Sequence, residues 1–153
     1  MSRPKKILLA DDDIDDRMLF ESAYKKRNDI IILPSALNGV EVIQRLENTL
    51  DPANLPDLII LDQNMPKLTG KQTLSLLKSD QRYAHIPVCV CSTYADHHLT
   101  VDCLKLGAYV VFSKPITDME YQKMMDDFLG HISGESKPDY FKRRSSESDH
   151  LRR

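Results

Sequence analysis

The chain has 153 residues and a mass of 17.6 kDa, which suits one domain, and its 41% apolar and 29% charged residues are typical of a soluble globular protein. A net charge of −2 argues against non-specific nucleic-acid binding by the whole molecule. No apolar stretch approaches the roughly 20 residues that span a bilayer, and no signal peptide is recognisable. Three cysteines indicate no disulfide framework. We therefore expect a cytoplasmic protein without membrane contact.

Five short apolar runs predict strands that are buried on both faces, as in a parallel sheet covered by helices. These runs are Ile7–Ala10, Ile30–Leu33, Leu58–Leu61, Val88–Cys91 and Tyr109–Phe112. Because segments with helical spacing lie between them, the chain should fold as successive βαβ units. We expect an α/β fold of the flavodoxin-like, doubly wound type, with a five-stranded parallel sheet in the order 2-1-3-4-5 and helices on both faces.

The segments between the runs predict five helices. The first follows the acidic cluster at Asp11, and its inward face is expected to carry Ile14, Met18, Leu19 and Tyr24. The second begins after Asn38, and helical spacing then recurs over Lys71–Lys78 and Asp96–Leu106, whereas Thr49–Pro56 is expected to be a loop. The last helix opens at a capping box and carries one apolar stripe, formed by Tyr121, Met124, Met125, Phe128, Leu129 and Ile132.

The composition changes at Ser133. Residues 133–153 carry six basic and four acidic side chains and few apolar ones. We therefore divide the chain into a folded domain over residues 5–132 and a polar C-terminal tail over 133–153, which we expect to be flexible or loosely docked. The tail is too short for a helix-turn-helix domain, so direct DNA binding is not expected.

Polar residues follow four of the predicted strands. Asp11 to Asp13 end the first strand, Asp62 ends the third, Ser92 and Thr93 end the fourth, and Lys114 follows the fifth. Ligands of open α/β sheets bind at the carboxyl ends of the strands, so these side chains should converge. Two carboxylates about 5 Å apart repel by roughly 3 kcal/mol at an effective dielectric of 20, so the cluster needs a cation or a raised pKa.

This set of residues suits one kind of chemistry. Hard carboxylate oxygens with open coordination positions suit Mg²⁺, which keeps several waters and binds phosphate oxygens. A carboxylate beside Mg²⁺ and a lysine is equipped to accept a phosphoryl group, because the carboxylate supplies the nucleophile and the cations neutralise the transferring charge.

Four motifs in this order resemble the receiver domain of two-component response regulators over about residues 5–132. They are "ILLADDD" in the first strand, "DLIILDQNMPKLTG" around Asp62, "PVCVCST" in the fourth strand and "VVFSKP" in the fifth. The resemblance implies that Asp62 accepts the phosphoryl group and that Asp12 binds Mg²⁺ directly. It also implies that Asp11 acts through water and that Asn64 offers its backbone carbonyl to the metal.

The resemblance further assigns the residues around the phosphoryl group. Ser92 stands where the family places a hydroxyl that turns to a phosphoryl oxygen, and Lys114 would bind another of these oxygens. Thr93, directly after this hydroxyl position, is expected to belong with Ser92 and Lys114 to the phosphoryl-binding and switch residues. The Lys114–Pro115 peptide is expected to be cis, and Gly70 is expected to serve the turn after the acceptor, where a permissive residue is needed.

The sequence departs from the family pattern at two positions. The family usually has an aromatic residue three positions before the lysine, whereas this chain has Val111 there and Phe112 one residue later. A shift of one residue on a strand turns a side chain to the other face, so Phe112 is expected to point away from the face that the family's aromatic switch residue uses. At Thr93 the family favours Ala or Gly, and a β-branched residue there would narrow access to Asp62.

The implied function is a phosphorylation-operated switch in a two-component phosphorelay. A sensor histidine kinase or a phosphotransfer protein would supply the phosphoryl group, and Mg²⁺ would be the cofactor. Phosphorylation would change binding of a downstream protein at the face of helix 4, strand 5 and helix 5, and homodimerisation stays open. No enzyme activity is expected beyond self-phosphorylation and slow self-dephosphorylation.

Two alternatives remain open from the sequence. The first is a degenerate receiver that binds proteins without being phosphorylated, which Val111 and Thr93 keep under consideration. The second is a phosphatase of the haloacid-dehalogenase type with an aspartyl-phosphate intermediate. That class normally has a second acid two residues after the nucleophile, and this chain has Asn64 at that position. This sequence also shows no cap insertion that would hold a substrate.

Overall fold

The computed structural model describes residues 3–134, and the predicted tail beyond Gly134 lies outside the described residues. The described residues form two compact units, which divide between Lys114 and Pro115. The first unit contains the sheet and four helices, and the second contains the last helix. Within residues 3–134, no helix is both long enough and apolar enough to cross a membrane.

The sheet has five parallel strands in the order β2-β1-β3-β4-β5, which confirms the predicted flavodoxin-like topology. The strand bounds are β1 Lys5–Ala10, β2 Ile30–Ile32, β3 Leu58–Asp62, β4 Val88–Ser92 and β5 Val110–Ser113. The central strands β3 and β4 are buried along their whole length. Because β2 lies at an edge, Pro34 can follow it without removing a hydrogen bond from the ladder.

Each helix begins at a side chain that caps its first backbone amides. The capping residues are Asp13, Asn38, Thr69, Asp96 and Thr117. The helix bounds are α1 Ile14–Tyr24, α2 Gly39–Asn48, α3 Gly70–Ser79, α4 His97–Lys105 and α5 Asp118–Ile132. The predicted loop over residues 49–56 contains one short 3-10 turn, Pro52–Asn54.

One hydrophobic core packs alternate residues of the sheet against α2, α3 and α4. Its members from the three inner strands lie two residues apart along each strand, because successive side chains of a strand point to opposite faces. They are Leu8, Ala10, Ile59, Leu61, Val88 and Val90, and the helices contribute Val42, Leu46, Leu74, Leu77 and Cys103. This packing holds the carboxyl ends of β1, β3 and β4 side by side at the same edge of the sheet.

The inward face predicted for α1 is wrong in three of its four residues. Ile14, Met18 and Leu19 are 62%, 61% and 57% exposed, whereas Phe20 and Tyr24 are buried with their rings in edge contact at 4.8 Å. At 3.6 residues per turn, the stripe of Phe20 and Tyr24 lies about a third of a turn from that of Ile14 and Met18. Both stripes have the i, i+4 spacing, so spacing alone could not choose between them.

The second unit contains α5, and four of the six residues of the predicted apolar stripe are buried, whereas Leu129 and Ile132 are half-buried. Tyr121, Met124, Met125 and Phe128 are buried at helical spacing. The Glu120 backbone amide donates to the Thr117 hydroxyl at 3.2 Å, and the Ile116 amide donates to the Glu120 carboxylate at 2.9 Å. The helix therefore begins at the predicted cap, and it ends at Ile132.

Candidate functional site

The register of the sheet brings the predicted site residues to one edge. Ala10 pairs with Leu61, Asp62 pairs with Cys91, and Ser92 pairs with Ser113. The residues that follow these pairs, Asp11 after β1 and Lys114 after β5, therefore emerge beside Asp62. The convergence predicted from strand ends that lie far apart in sequence is present in the structure.

Three carboxylates form the centre of this edge. Asp11, Asp12 and Asp62 each offer an oxygen within 4.8 Å of the oxygens of the other two. Asp11 and Asp62 are only 2% and 4% exposed, whereas Asp12 is exposed to solvent. Two buried carboxylates beside a third, exposed one form an all-oxygen donor set that is open on one side. This chemistry fits a hard divalent cation such as Mg²⁺, which retains water ligands.

Lys114 is the cation that this cluster contains. Its ammonium nitrogen lies 2.9 Å from Asp11 Oδ2, 2.5 Å from Asp16 Oδ2 and 3.5 Å from Asp62 Oδ1. The Lys114 side chain is 17% exposed. This one ammonium therefore contacts the carboxylates of Asp11, Asp16 and Asp62, so these acids together carry more negative charge than Lys114 neutralises.

Asp62 is a carboxylate whose ionisation is disfavoured by its surroundings. Burial, together with the nearby charge of Asp11, raises the pKa of Asp62 to about 6, although Lys114 and the backbone amide of Asn64 act in the opposite direction. Burial disfavours the charged form of Lys114, but hydrogen bonds to Asp16 and Asp11 outweigh this effect and raise the pKa of the ammonium. Lys114 therefore stays charged at neutral pH, while Asp62 is a carboxylate that would gain from a further cation.

Local hydrogen bonds fix the loop that carries Asp11 and Asp12. The Asp13 amide donates to Asp11 Oδ1 at 3.0 Å, and the Arg17 guanidinium donates to the Asp11 carbonyl at 2.9 Å. Asp13 itself caps α1 by accepting from the amides of Asp15 and Asp16. Asp13 thus starts the helix, as the sequence indicated, and the two acids before it are directed to the site.

Gly70 lies against the backbone of the acceptor strand. A Cβ atom at this position would stand 2.7 Å from the Asp62 carbonyl oxygen and 3.0 Å from the Gln63 Cα. The expected reason, a permissive turn conformation, is wrong, since the glycines with positive φ among the described residues are Gly107 and Gly134. Glycine is needed at position 70 because α3 approaches the end of β3 too closely for a side chain.

Ser92 and Thr93 lie where the sequence placed them, at the end of β4. Ser92 is buried, and its carbonyl accepts from the Lys114 amide at 2.9 Å, which ties the ends of β4 and β5 together. Thr93 is exposed in the loop that follows. The Ala95 amide of this loop donates to the Ser113 hydroxyl at 3.3 Å, so the loop is also held by β5.

The expected cis peptide between Lys114 and Pro115 is wrong. No cis peptide bond occurs among residues 3–134, so this bond is trans. A trans bond before proline is the ordinary outcome, because the trans form is favoured by about 0.5 to 1 kcal/mol even for this residue.

Val111 and Phe112 occupy opposite faces of β5, as their spacing predicts. Val111 packs against the core that contains α2, α3 and α4, whereas Phe112 is buried but does not belong to this core. The residue three positions before Lys114 is thus aliphatic, and the neighbouring aromatic ring points away from its face.

Asp16 is a site residue that the sequence analysis missed. Position 16 is in the first turn of α1, where an acid is explained equally well by the helix dipole or by solvent. In the structure its carboxylate forms an ion pair with Lys114, which is 98 residues away in sequence. The sequence did contain a signal for this role, because Asp16 comes about one helical turn after the cap at Asp13. Side chains of a helix tilt toward its N-terminus, so a residue at this position points back toward the end of β1.

Comparison with known proteins identifies the family. The family model described as the response regulator receiver domain matches residues 7–126, and the chain therefore belongs to this family. The match covers β2 to β5 completely, β1 from Ile7 onward, and most of α5. The resemblance that rested on four motifs is thus confirmed over nearly the whole of the described chain.

One curated relative and two solved structures illustrate the likeness. The chain is 31% identical over 129 residues to a protein-glutamate methylesterase/protein-glutamine glutaminase of Clostridium acetobutylicum, covering 83% of this chain but 35% of that protein. It is 27% identical to the phosphorylated cyanobacterial phytochrome response regulator RcpA, with a TM-score of 0.70 and coverage of 83% and 92%. It is 25% identical to a chain of the CheX–CheY–BeF3–Mg2+ complex of Borrelia burgdorferi, with a TM-score of 0.69 and coverage of 82% and 90%.

Proposed function

We propose that this receiver domain works as a switch whose phosphoryl acceptor is Asp62. The observation that carries the proposal is the state of this carboxylate, which is nearly inaccessible, has a pKa raised to about 6, and lies 3.5 Å from the Lys114 ammonium. A structural carboxylate would have a cation of its own, whereas Asp62 shares the Lys114 ammonium with Asp11 and Asp16. Such a group is suited to reaction and to metal binding.

The reaction is a phosphoryl transfer from a phosphohistidine. One carboxylate oxygen of Asp62 attacks phosphorus, and a new O–P bond forms as the P–N bond to the donor imidazole breaks. The imidazole leaves with the electron pair of that bond and a proton from solvent neutralises it. Lys114 is placed to stabilise the negative charge on the transferring group, because its ammonium already lies beside the acceptor oxygen.

Asp11, Asp12 and Asp62 are the residues that would hold Mg²⁺, and the Asn64 backbone carbonyl would complete the protein ligands. Asp12 and Asp62 would bind the ion directly and Asp11 through water. The fit rests on the three carboxylate oxygens that lie within 4.8 Å of one another. When bound, the ion neutralises charge on the acceptor and on the phosphoryl oxygens.

The phosphorylated domain would signal through the loop after β4. An aspartyl phosphate carries more negative charge than the carboxylate and offers new acceptor oxygens, which draw in the Ser92 hydroxyl and the Lys114 ammonium. Because the Ala95 amide bonds to Ser113, a shift at Ser92 would be transmitted to the start of α4 and to β5. Thr93, exposed beside Ser92, would then restrict access to Asp62.

The partners follow from this chemistry. The donor would be a sensor histidine kinase or a phosphotransfer protein, and the output would be altered binding of a downstream protein. We assign this role to residues 5–132, with no catalytic activity beyond handling its own phosphoryl group. The chain spans about a third of the length of the methylesterase relative, so that protein's activity is not transferred to it.

Substitution of the acceptor tests the proposal directly. Wild type incubated with Mg²⁺ and acetyl phosphate should gain a phosphoryl group detectable by intact mass, and Asp62→Asn should gain none. The matched control is Asp57→Asn, an acid at the other end of β3, which should react like wild type. Uptake by the Asp62→Asn variant at the wild-type rate would show that the acceptor lies elsewhere.

A binding measurement separates this switch from a degenerate receiver. Beryllofluoride with Mg²⁺ stands in for the phosphoryl group on the acceptor. Ligand at a hundredfold excess over Kd should stabilise the fold by about 2.7 kcal/mol, which raises the melting temperature of wild type but not of Asp62→Asn. An unchanged melting temperature in wild type would favour a module that functions without phosphorylation.

A further inference from the structure

Asp16 gives the Lys114 ammonium a second close partner that does not belong to the three-carboxylate cluster. Asp16 Oδ2 contacts Lys114 Nζ directly, as Asp11 Oδ2 does at 2.9 Å, whereas Asp62 Oδ1 lies farther from this nitrogen at 3.5 Å. The Asp16 side chain is 33% exposed, whereas those of Asp11 and Asp62 are nearly inaccessible. The contact therefore lies on the solvent side of the ammonium.

The backbone holds Asp16 in this place. The Asp16 amide donates to the Asp13 carboxylate at 3.1 Å as part of the cap of α1, and Arg17 binds the Asp11 carbonyl at 2.9 Å. The first turn of α1 is thus attached to the end of β1, from which Asp11 reaches the same ammonium. Asp16 reaches Lys114 from a position that is fixed before any ligand binds.

We propose that Asp16 is a positioning residue that holds the Lys114 ammonium toward α1 in the resting domain and releases it to the phosphoryl group on Asp62. This inference rests on the proposed phosphoryl acceptance. Lys114 makes its two shortest contacts with Asp11 and Asp16, and its contact with the acceptor is the longest. A phosphoryl oxygen that needs a hydrogen bond from Lys114 therefore competes first with Asp16, the partner that solvent can most easily replace.

The negative charge of Asp16 also opposes binding of a phosphoryl group at Asp62. Its carboxylate and that of Asp62 both lie within 3.5 Å of the same nitrogen, so it repels negative charge that arrives at the acceptor. The same carboxylate attracts a divalent cation at the neighbouring acids. Removal of its charge should therefore strengthen binding of a phosphoryl analogue and weaken binding of Mg²⁺ alone, two effects of opposite sign.

Asp16→Asn is the test variant, because it keeps the shape of the side chain and removes its charge. The control is Asp15→Asn, which removes the same charge from the adjacent, exposed position without a contact to Lys114 among those described. Beryllofluoride affinity is measured by calorimetry at saturating Mg²⁺, and Mg²⁺ affinity is measured separately without beryllofluoride. We expect the beryllofluoride Kd of Asp16→Asn to fall about fivefold, the size of one partly exposed ion pair, while Asp15→Asn stays near wild type.

The outcomes separate this inference from the function on which it rests. If wild type binds no beryllofluoride, phosphoryl acceptance is wrong and the role of Asp16 is overturned with it. If wild type binds and Asp16→Asn binds no tighter than Asp15→Asn, acceptance stands and Asp16 has no restraining role. Weaker beryllofluoride binding by Asp16→Asn would show a supporting role instead, which also overturns the proposal.

A spectroscopic measurement reports on the contact without any ligand. The ammonium protons of a lysine held by carboxylates exchange slowly enough to be observed by NMR. The Lys114 signal should be present in wild type and in Asp15→Asn and should broaden in Asp16→Asn. An unchanged signal in Asp16→Asn would show that Asp11 alone holds the ammonium, which contradicts the proposal.

Discussion

The two ends of β3 carry acids in opposite situations. Asp57, just before the strand, accepts from both terminal nitrogens of Arg3 at 2.9 and 3.2 Å and from the Lys6 amide at 2.8 Å. Asp62, at the other end, is more deeply buried and lies 3.5 Å from a lysine whose shorter contacts go to other acids. Asp57 is bound by an arginine and a backbone amide, whereas Asp62 shares the ammonium of Lys114 with two other acids.

This difference distinguishes an acid that stabilises the fold from one that is prepared for reaction. A carboxylate with a bidentate arginine and a backbone donor lowers the energy of the native state as it stands. A buried carboxylate next to other carboxylates raises that energy until a cation or a proton arrives. Substitutions at the two ends of β3 should therefore change stability in opposite directions.

The largest effect is expected from removal of the shared cation. Lys114→Met leaves Asp11 and Asp62 buried without their ammonium, and the free energy of unfolding should fall by about 3 kcal/mol near neutral pH. Urea denaturation in the presence of a chelator measures the change. Added Mg²⁺ should restore part of the lost stability. If Lys114→Met lowers the free energy of unfolding no more than substitution of an exposed lysine does, Lys114 does not stabilise the buried acids.

Asp62→Asn should stabilise the domain by about 2 kcal/mol at pH 8 in the absence of divalent ions, because it removes a carboxylate whose pKa is raised from 3.8 to about 6. Between these pH values the Asp62 carboxyl binds more protons in the native state than in the unfolded state, so the contribution of Asp62 to wild-type stability falls as pH rises. The advantage of Asp62→Asn should therefore be absent near pH 4, grow through pH 6 and then stay constant. Denaturation curves across this range measure it, and a gap that narrows with rising pH would refute the assignment.

Gly70→Ala should disturb the acceptor end of β3 through packing alone. Its Cβ would meet the Asp62 carbonyl oxygen at 2.7 Å, so α3 has to move, and we expect a loss of about 1 to 2 kcal/mol. Thermal melting gives the stability, and beryllofluoride binding shows whether Asp62 has shifted with it. If the stability of Gly70→Ala falls while its beryllofluoride affinity is unchanged, the close contact between α3 and the end of β3 serves packing and does not position Asp62.

The smallest effect is expected at the opposite end of the strand. Asp57→Asn removes the charge that binds Arg3 and weakens the bond from the Lys6 amide, so stability should fall by about 1 kcal/mol. Mg²⁺ should leave the melting temperature difference from wild type unchanged, because this end lies away from the cluster. If Asp57→Asn instead raised the stability, the two ends of β3 would not differ in the way proposed here.

Sequence reasoning succeeded where local pattern and topology agree. The strands, the caps at Asn38 and Thr117, and the convergence of Asp11, Asp62 and Lys114 were predictable, because strand ends of a parallel sheet meet at one edge. It failed for the exposed Ile14 and Met18, since two stripes of the same period competed on one helix. The reason for Gly70 was also wrong, because a close approach of two elements leaves no mark on local backbone pattern.

The sequence by itself determined which residues lie at the strand ends, because a short apolar run and the polar residues that follow it mark the end of a strand without information from distant parts of the chain. It placed an excess of carboxylates opposite one lysine and so defined the chemistry of the site. Only the tertiary structure decided how that lysine is divided among Asp11, Asp16 and Asp62. Such a division depends on burial and on distances between residues that lie far apart in the sequence, and electrostatic energies inside a fold change steeply with both.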